Sequence, residues 1–335
     1  METVKKIDSF IKKYMPWLIL AALVGGYLMG LDLTKTEIKA IKSSIMPAVI
    51  IMIYAMLVTM KMEELKNALI YPKEMIYGSV LSLLVAPLLM IPLASVFTNN
   101  AQLYTGLLLA SIVPPGGMIT YWTGILEANI GLATAIQTVT LLVSIIWVPY
   151  GMQFFVGSQV AVNTSVLLIK IVMMVVVPLL LAFVTQKFIV QKFGWKGIVQ
   201  IKPLSHLISS ILALYIVFIA PLMQAHAIEK HPSLVLLPAV GMLIYYSVAY
   251  PFSYYLSLKV FKIPHDKSIP ITYGFATKNL SIAMGLAIAA FGPMALLGVV
   301  PCILFQMPFA SLWFKIFSKM NKKISPETLM EESNV

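Results

Sequence analysis

Runs of about 20 apolar residues recur along the whole of this chain, and no other feature limits its fold as tightly. A run of that length crosses the hydrocarbon core of a bilayer as a helix, which satisfies every backbone N–H and C=O inside the segment. The runs fall roughly at 15–31, 41–60, 76–97, 101–126, 129–157, 164–188, 201–225, 232–259, 268–291 and 293–317. Only 11% of the 335 residues are charged and 60% are hydrophobic, against about 25% charged in an average soluble domain. A soluble core could not hide that much apolar surface, so the solvent around the protein must itself be apolar. No soluble domain, long linker or low-complexity tract interrupts the pattern, and residues 1–335 read as a single integral membrane domain of all-α class.

Charge sets the orientation. The net charge is +11, and all 24 basic residues are lysines. A basic balance also marks nucleic-acid-binding proteins, but here the lysines cluster at the ends of apolar runs, so the expected partner is the lipid bilayer and not a nucleic acid. With the N-terminus in the cytoplasm, 18 lysines fall on the cytoplasmic side. Four (Lys35, Lys39, Lys42, Lys230) fall outside, and Lys170 and Lys278 lie within spans. That is a strong positive-inside bias. Lysines at both ends favour an even number of spans, hence a ten-span protein of the cell membrane with both termini cytoplasmic. The four lysines before Met15 resemble the start of a signal peptide, but no small-residue cleavage site follows, so Met15 to Leu31 is read as a retained first span. Between spans 2 and 3, Lys61 to Lys73 reads as a short amphipathic segment.

Two spans are broken. Span 4 carries Pro114-Pro115-Gly116-Gly117, and such a run cannot continue an ordinary helix, since proline removes a backbone donor and clashes with the preceding turn. Span 9 carries Thr277-Lys278-Asn279 with Ser281 close behind, a set that is costly at membrane depth unless it serves a function. Each break is in the fourth of five spans, and an odd number of spans per half implies inverted repeats, one over about 15–157 and the other over about 164–317. Paired interruptions in corresponding positions are a sequence pointer to a transporter's binding site.

The residues at these places resemble a known family. Met52 to Lys66 resembles the end of the second span in bile acid:sodium symporters and arsenite exporters. The Pro114 to Gly117 break resembles their fourth span, and Thr277 to Ser281 the break in their ninth. Phe291-Gly292, Val300-Pro301 and Met307-Pro308 resemble the tenth-span region of the exporter branch. The resemblance implies a panel domain (spans 1, 2, 6 and 7) and a core domain (spans 3–5 and 8–10) in which broken helices 4 and 9 cross. It also implies two sodium sites flanking the crossing, and there the sequence departs. Aligned without gaps, a sodium-binding serine and asparagine fall on Ile119 and Thr120, and a serine and threonine of span 5 fall on Ala133 and Gln137. The acidic ligand shared by both sites falls on Gly274, and a glutamine ligand on Lys278. A cation site needs several oxygens, and Ile119, Ala133 and Gly274 have no side-chain oxygen to give. The exporters place a cysteine directly after the span 4 proline, where this chain has Pro115. Arsenite needs soft ligands, and Cys302 stands alone in span 10 as a small buried hydrophobe.

Three roles are open for Lys278: a proton carrier or tethered cation in place of sodium, a snorkelling lysine, or a direct partner of an anionic substrate. Substrate binding or coupling is expected from Pro114, Pro115, Gly116, Gly117, Thr120, Thr123, Gln137, Thr277, Lys278, Asn279 and Ser281. Lys170 is expected to snorkel to the outer surface, Glu127 to be a solvated loop acid, and the four histidines (His206, His226, His231, His265) to be ordinary surface residues. No catalytic set, metal cluster or nucleotide-binding motif is recognisable, so neither an enzyme, a cofactor nor a direct ATP drive is expected. The expected function is a secondary active transporter, a symporter-like protein moving a small organic anion by alternating access, not coupled to sodium, with H+ as the candidate coupling ion. The alternatives are an arsenite or metalloid exporter relative and a non-transporting membrane sensor.

Overall fold

In the computed structural model, the described residues are 2–60, 70–97, 100–157 and 164–323. Among them the chain is all helix, with no strand. In chain order the helices are α1 (Glu2–Asp32), α2 (Lys35–Leu57), α3 (Pro72–Val80), α4 (Ala86–Ala94), α5 (Ala101–Ile112), α6 (Met118–Ile125) and α7 (Ile130–Val156). There follow α8 (Thr164–Ile171), α9 (Val177–Lys230), α10 (Ser233–Tyr255), α11 (His265–Ala276), α12 (Leu280–Leu286) and α13 (Pro293–Lys323). Four widened π-helical turns, Leu81–Val85, Val172–Val176, Leu256–Val260 and Ala287–Phe291, lie within or between these. Most of the predicted amphipathic segment, residues 61–69, lies outside the described residues.

Seven helical stretches of the described residues are long and apolar enough to cross a membrane. Three features separate this from the ten runs of the sequence. The apolar part of α1, Trp17–Asp32, is short, and so is α5, because a break ends it. Leu168–Lys230 is continuous and takes in two runs. Its 63 residues would make a rod of about 95 Å at 1.5 Å per residue, roughly three hydrocarbon cores. Gly194, with φ 64° and ψ −172°, interrupts that rod.

Close backbone contact holds the bundle together, as expected where lipid supplies no hydrophobic drive between helices. Gly26 and Gly30 lie four apart on one face of α1, and a Cβ on them would come within 2.1 Å of the Phe218 carbonyl oxygen and 2.3 Å of that of Leu222. In the same way Gly106 brings α5 onto α13, where a Cβ would meet the Ala295 carbonyl oxygen at 2.0 Å. The stretch His265–Phe291, which contains the second break, is the most enclosed of the seven, with 78% of its apolar window buried. The element richest in mid-span polar groups is therefore the one best shielded from lipid, as membrane energetics requires.

Candidate functional site

The first break begins where Val113 turns extended (φ −62°, ψ 153°). A residue before proline is pushed out of the α region, and Pro115 has no N–H to give. Helix resumes at Met118. The second break turns on Thr277, also extended (φ −95°, ψ 124°). Helix resumes at Leu280, capped by the Asn279 side chain, which accepts from the Ile282 N–H.

The two breaks meet. The Asn279 N–H donates to the Pro114 carbonyl at 2.8 Å. Gly116 faces the same residue so closely that a Cβ there would stand 3.4 Å from the Asn279 Cα. On the other side of the break Gly117 is exposed, and a Cβ there would meet open space. The Asn279 side-chain amide also reaches α2, with Nδ2 3.3 Å from the Met56 Sδ.

Lys278 is buried, at 3% exposure. Its Nζ donates to the Ser82 carbonyl at 2.6 Å and lies 2.8 Å from the Ser82 hydroxyl. Ser82 is in the π-helical turn Leu81–Val85, a kind of local widening found often at functional sites. Those two oxygens are the only acceptors of the ammonium among the described residues, and neither is a carboxylate. Snorkelling, one of the three roles open for Lys278, does not fit a side chain enclosed in this way. The main chain of Lys278 is held separately. Its N–H donates to the Gln306 Oε1 at 2.8 Å, and the Gln306 Nε2 donates back to its carbonyl at 3.2 Å.

Gly274, Ile119 and Ala133, the positions lacking side-chain oxygens, are all buried. Gly274 and Ile119 are neighbours in space: a Cβ on Gly274 would meet the Ile119 Cδ1 at 3.0 Å and the Ile136 Cγ2 at 3.3 Å. Ile119 and Ile136 are fully buried, so hydrocarbon fills this volume. The side chains at these positions bring no oxygen to it.

Of the predicted site residues, the structure brings together Pro114, Gly116, Lys278 and Asn279. The side chains of Thr120, Thr123, Gln137, Thr277 and Ser281 make no hydrogen bond from one break to the other among the described residues. The Thr120 hydroxyl returns to the Gly117 carbonyl and that of Thr277 to the Tyr273 carbonyl. Thr123 is buried without a partner for its hydroxyl, and Gln137 and Ser281 are half-buried on α7 and α12.

Two expectations need correcting. Lys170 does not reach outward: its Nζ donates to the Ala289 carbonyl, in another π-helical turn. His265 is not a bare surface residue. Its Nδ1 lies 2.8 Å from the Tyr254 hydroxyl and its Nε2 2.7 Å from the Asn321 Oδ1. The Asn321 Nδ2 donates to the Leu126 carbonyl, so this chain of bonds ties the end of α6 to α13 and to the start of α11. His206 likewise contacts Asp8 at 2.6 Å. Glu127 is exposed, as expected, and adopts φ 55°. Cys302 is buried with its Sγ 3.2 Å from the Met242 Sδ.

Sequence reasoning missed Ser82 and Gln306. The available signal for Gln306 was its place as the single amide in an apolar run from 293 to 317.

Comparison with known proteins was consistent with this geometry. Residues 46–231 match the Sodium Bile acid symporter family. The arsenical-resistance protein Acr3 of Alkaliphilus metalliredigens (strain QYMF) is 25% identical over 96% of each chain. The sodium-dependent transporter YocS of Bacillus subtilis (strain 168), itself uncharacterized, is 23% identical over 96% of this chain and 93% of its own.

Proposed function

Because the chain belongs to the Sodium Bile acid symporter family, and is therefore a multi-pass membrane transporter and not an enzyme, we propose that it moves a small organic anion by alternating access, with Lys278 standing where a relative would hold sodium. Ten spans form two inverted five-span repeats, with both termini in the cytoplasm. Leu168–Lys230 supplies two of those spans across Gly194, and each broken helix supplies one. Spans 1, 2, 6 and 7 form a panel that rocks against a core of spans 3–5 and 8–10, exposing the crossing to each side in turn.

The observation that carries this reading is the seat of Lys278. Its ammonium faces the carbonyl and hydroxyl oxygens of Ser82, the kind of ligands a bound cation takes. An ammonium has three N–H donors and these are two acceptors, so one donor is left for a substrate. A charge buried without a counter-ion is costly, and an anionic cargo supplies the missing charge. A proton carried on Lys278 then takes over the task of a coupling ion, while the hydrocarbon at Gly274 and Ile119 explains why sodium is not needed.

One relative is named for sodium dependence and the other for arsenical resistance. Neither trait carries over. The sodium oxygens are replaced by Ile119, Ala133 and Gly274, and Pro115 occupies the place of the exporters' cysteine, so arsenite would find no thiolate at the break.

The test is Lys278→Met, which keeps the volume and removes both charge and proton. Anion flux in proteoliposomes should fall steeply and lose its dependence on pH. Flux that keeps its pH dependence in this variant would remove the proton role.

A further inference from the structure

We propose that Gln306 is the positioning residue of the crossing: its side-chain amide takes the place of the helical partners that the Lys278 peptide group has lost. The inference rests on the reading of Lys278 as the built-in cation, because it explains how the main chain carrying that cation is held. The helix keeps its own bonding through the Thr277 N–H, and the next two N–H groups leave it, each received by a different element. Thr277 donates to the Tyr273 carbonyl in its own helix at 2.8 Å, and Asn279 donates to Pro114 in the other break at 2.8 Å. Lys278, between them, donates to Gln306 on α13 at 2.8 Å. The Lys278 carbonyl returns to the same side chain.

The amide of Gln306 is saturated. Its Oε1 accepts from the Lys278 N–H and from the Tyr246 hydroxyl at 3.3 Å. Its Nε2 donates to the Lys278 carbonyl and points to the Met118 Sδ at 3.2 Å. Two donors and one carbonyl oxygen with two lone pairs are all that a glutamine amide has. The N–H of Lys278 can be received only by oxygen and its carbonyl only by N–H, so the orientation of the amide is fixed by the main chain. Gln306 is 3% exposed, so water is not at hand to replace it. One side chain thus joins the unwound peptide to the start of α6, to α10 and to α13. Among the described residues the first break has no such clamp, and it needs none at Pro114 and Pro115, which have no N–H.

The amide's double role makes a pH-dependent rescue possible. Gln306→Glu, when protonated, still offers one donor and one acceptor; as a carboxylate it offers acceptors only and faces the Lys278 carbonyl with an oxygen. Gln306→Met keeps the bulk and offers neither. The measurement is backbone hydrogen–deuterium exchange of the peptide covering 273–283, in detergent, as a ratio to the unaltered chain at pH 5.5 and 8.5. Gln306→Met should exchange about tenfold faster at both, the scale of one unsatisfied buried pair. Gln306→Glu should match it at pH 8.5 and return toward the unaltered chain at pH 5.5. Equal loss in both variants at both pH values means that a donor and an acceptor at position 306 do not hold the peptide and overturns the proposal, and no loss in either means that Gln306 only fills space and overturns it too. The same pattern is expected in a Lys278→Met background, since the clamp grips the main chain. The clamp therefore stands or falls separately from the role of the ammonium.

Discussion

The Asn279 N–H donates to the Pro114 carbonyl at 2.8 Å, so the two broken helices are joined main chain to main chain where they cross. An unwound segment inside a membrane exposes polar groups that lipid cannot satisfy. Here part of that need is met by the other break: an orphan donor from one is matched with an orphan acceptor from the other. The contact holds the crossing together.

That closeness limits what Gly116 can become. A methyl group at Gly116 stands at 3.4 Å from the Asn279 Cα, an ordinary contact. Gly116→Ala should leave the thermal midpoint in detergent nearly unchanged. Gly116→Leu must push the breaks apart and should cost about 1–3 kcal/mol, the usual scale of overpacking. Equal midpoints for the two variants would mean the breaks are not in contact.

Ser82→Ala removes the hydroxyl and keeps the carbonyl that Lys278 also uses. The loss of one hydrogen bond to a charged group is on the order of 1.5–3 kcal/mol. Anion flux should therefore fall, but less than in Lys278→Met, and Ser82→Thr should recover part of it. Flux in Ser82→Ala equal to that of the unaltered chain would show that the hydroxyl does not hold the ammonium.

Lys170 is bonded to the Ala289 carbonyl, which ties α8 to the π-helical turn after the second break. Lys170→Met keeps the stem and removes the donor. It should lower the thermal midpoint, on the scale of about 1 kcal/mol for one hydrogen bond between half-buried groups, and should not abolish the pH dependence of flux. A loss of pH dependence here would transfer the proton role from Lys278 to Lys170.

His265 gives a control for the origin of any pH effect. Its imidazole bridges Tyr254 and Asn321, and Asn321 continues to Leu126. His265→Phe should destabilise the joined ends of α6, α11 and α13 by about 1–3 kcal/mol, seen as a lower thermal midpoint. The pH profile of the remaining flux should keep its shape; a flattened profile would place the titrating group at His265.

The breaks were legible in the sequence because proline, glycine and a lysine stand out against an apolar background, and their local chemistry dictates the break wherever the helix lies. The departure at Ile119, Ala133 and Gly274 came only from the family resemblance, and in the structure Ile119 lies against Gly274. What could not be read was which carbonyl Lys278 and Lys170 would each find. Both acceptors, Ser82 and Ala289, sit in π-helical turns that have no sequence signature, so Lys170 looked like a residue reaching for water. Gln306 was missed because its partner is a main-chain peptide, which leaves no trace in the pattern of side chains. The run that contains Gly194 also kept its helix further than the pattern of lysines suggested.

The central claim is that Lys278 has replaced sodium. The most direct measurement is the flux of small organic anions, with arsenite alongside, in proteoliposomes under separately imposed sodium and proton gradients. The expected result is anion flux that follows the proton gradient and is indifferent to sodium, with no arsenite flux. Anion flux that requires sodium would contradict the account, because the hydrocarbon around Gly274 and Ile119 would then not be where the coupling ion binds.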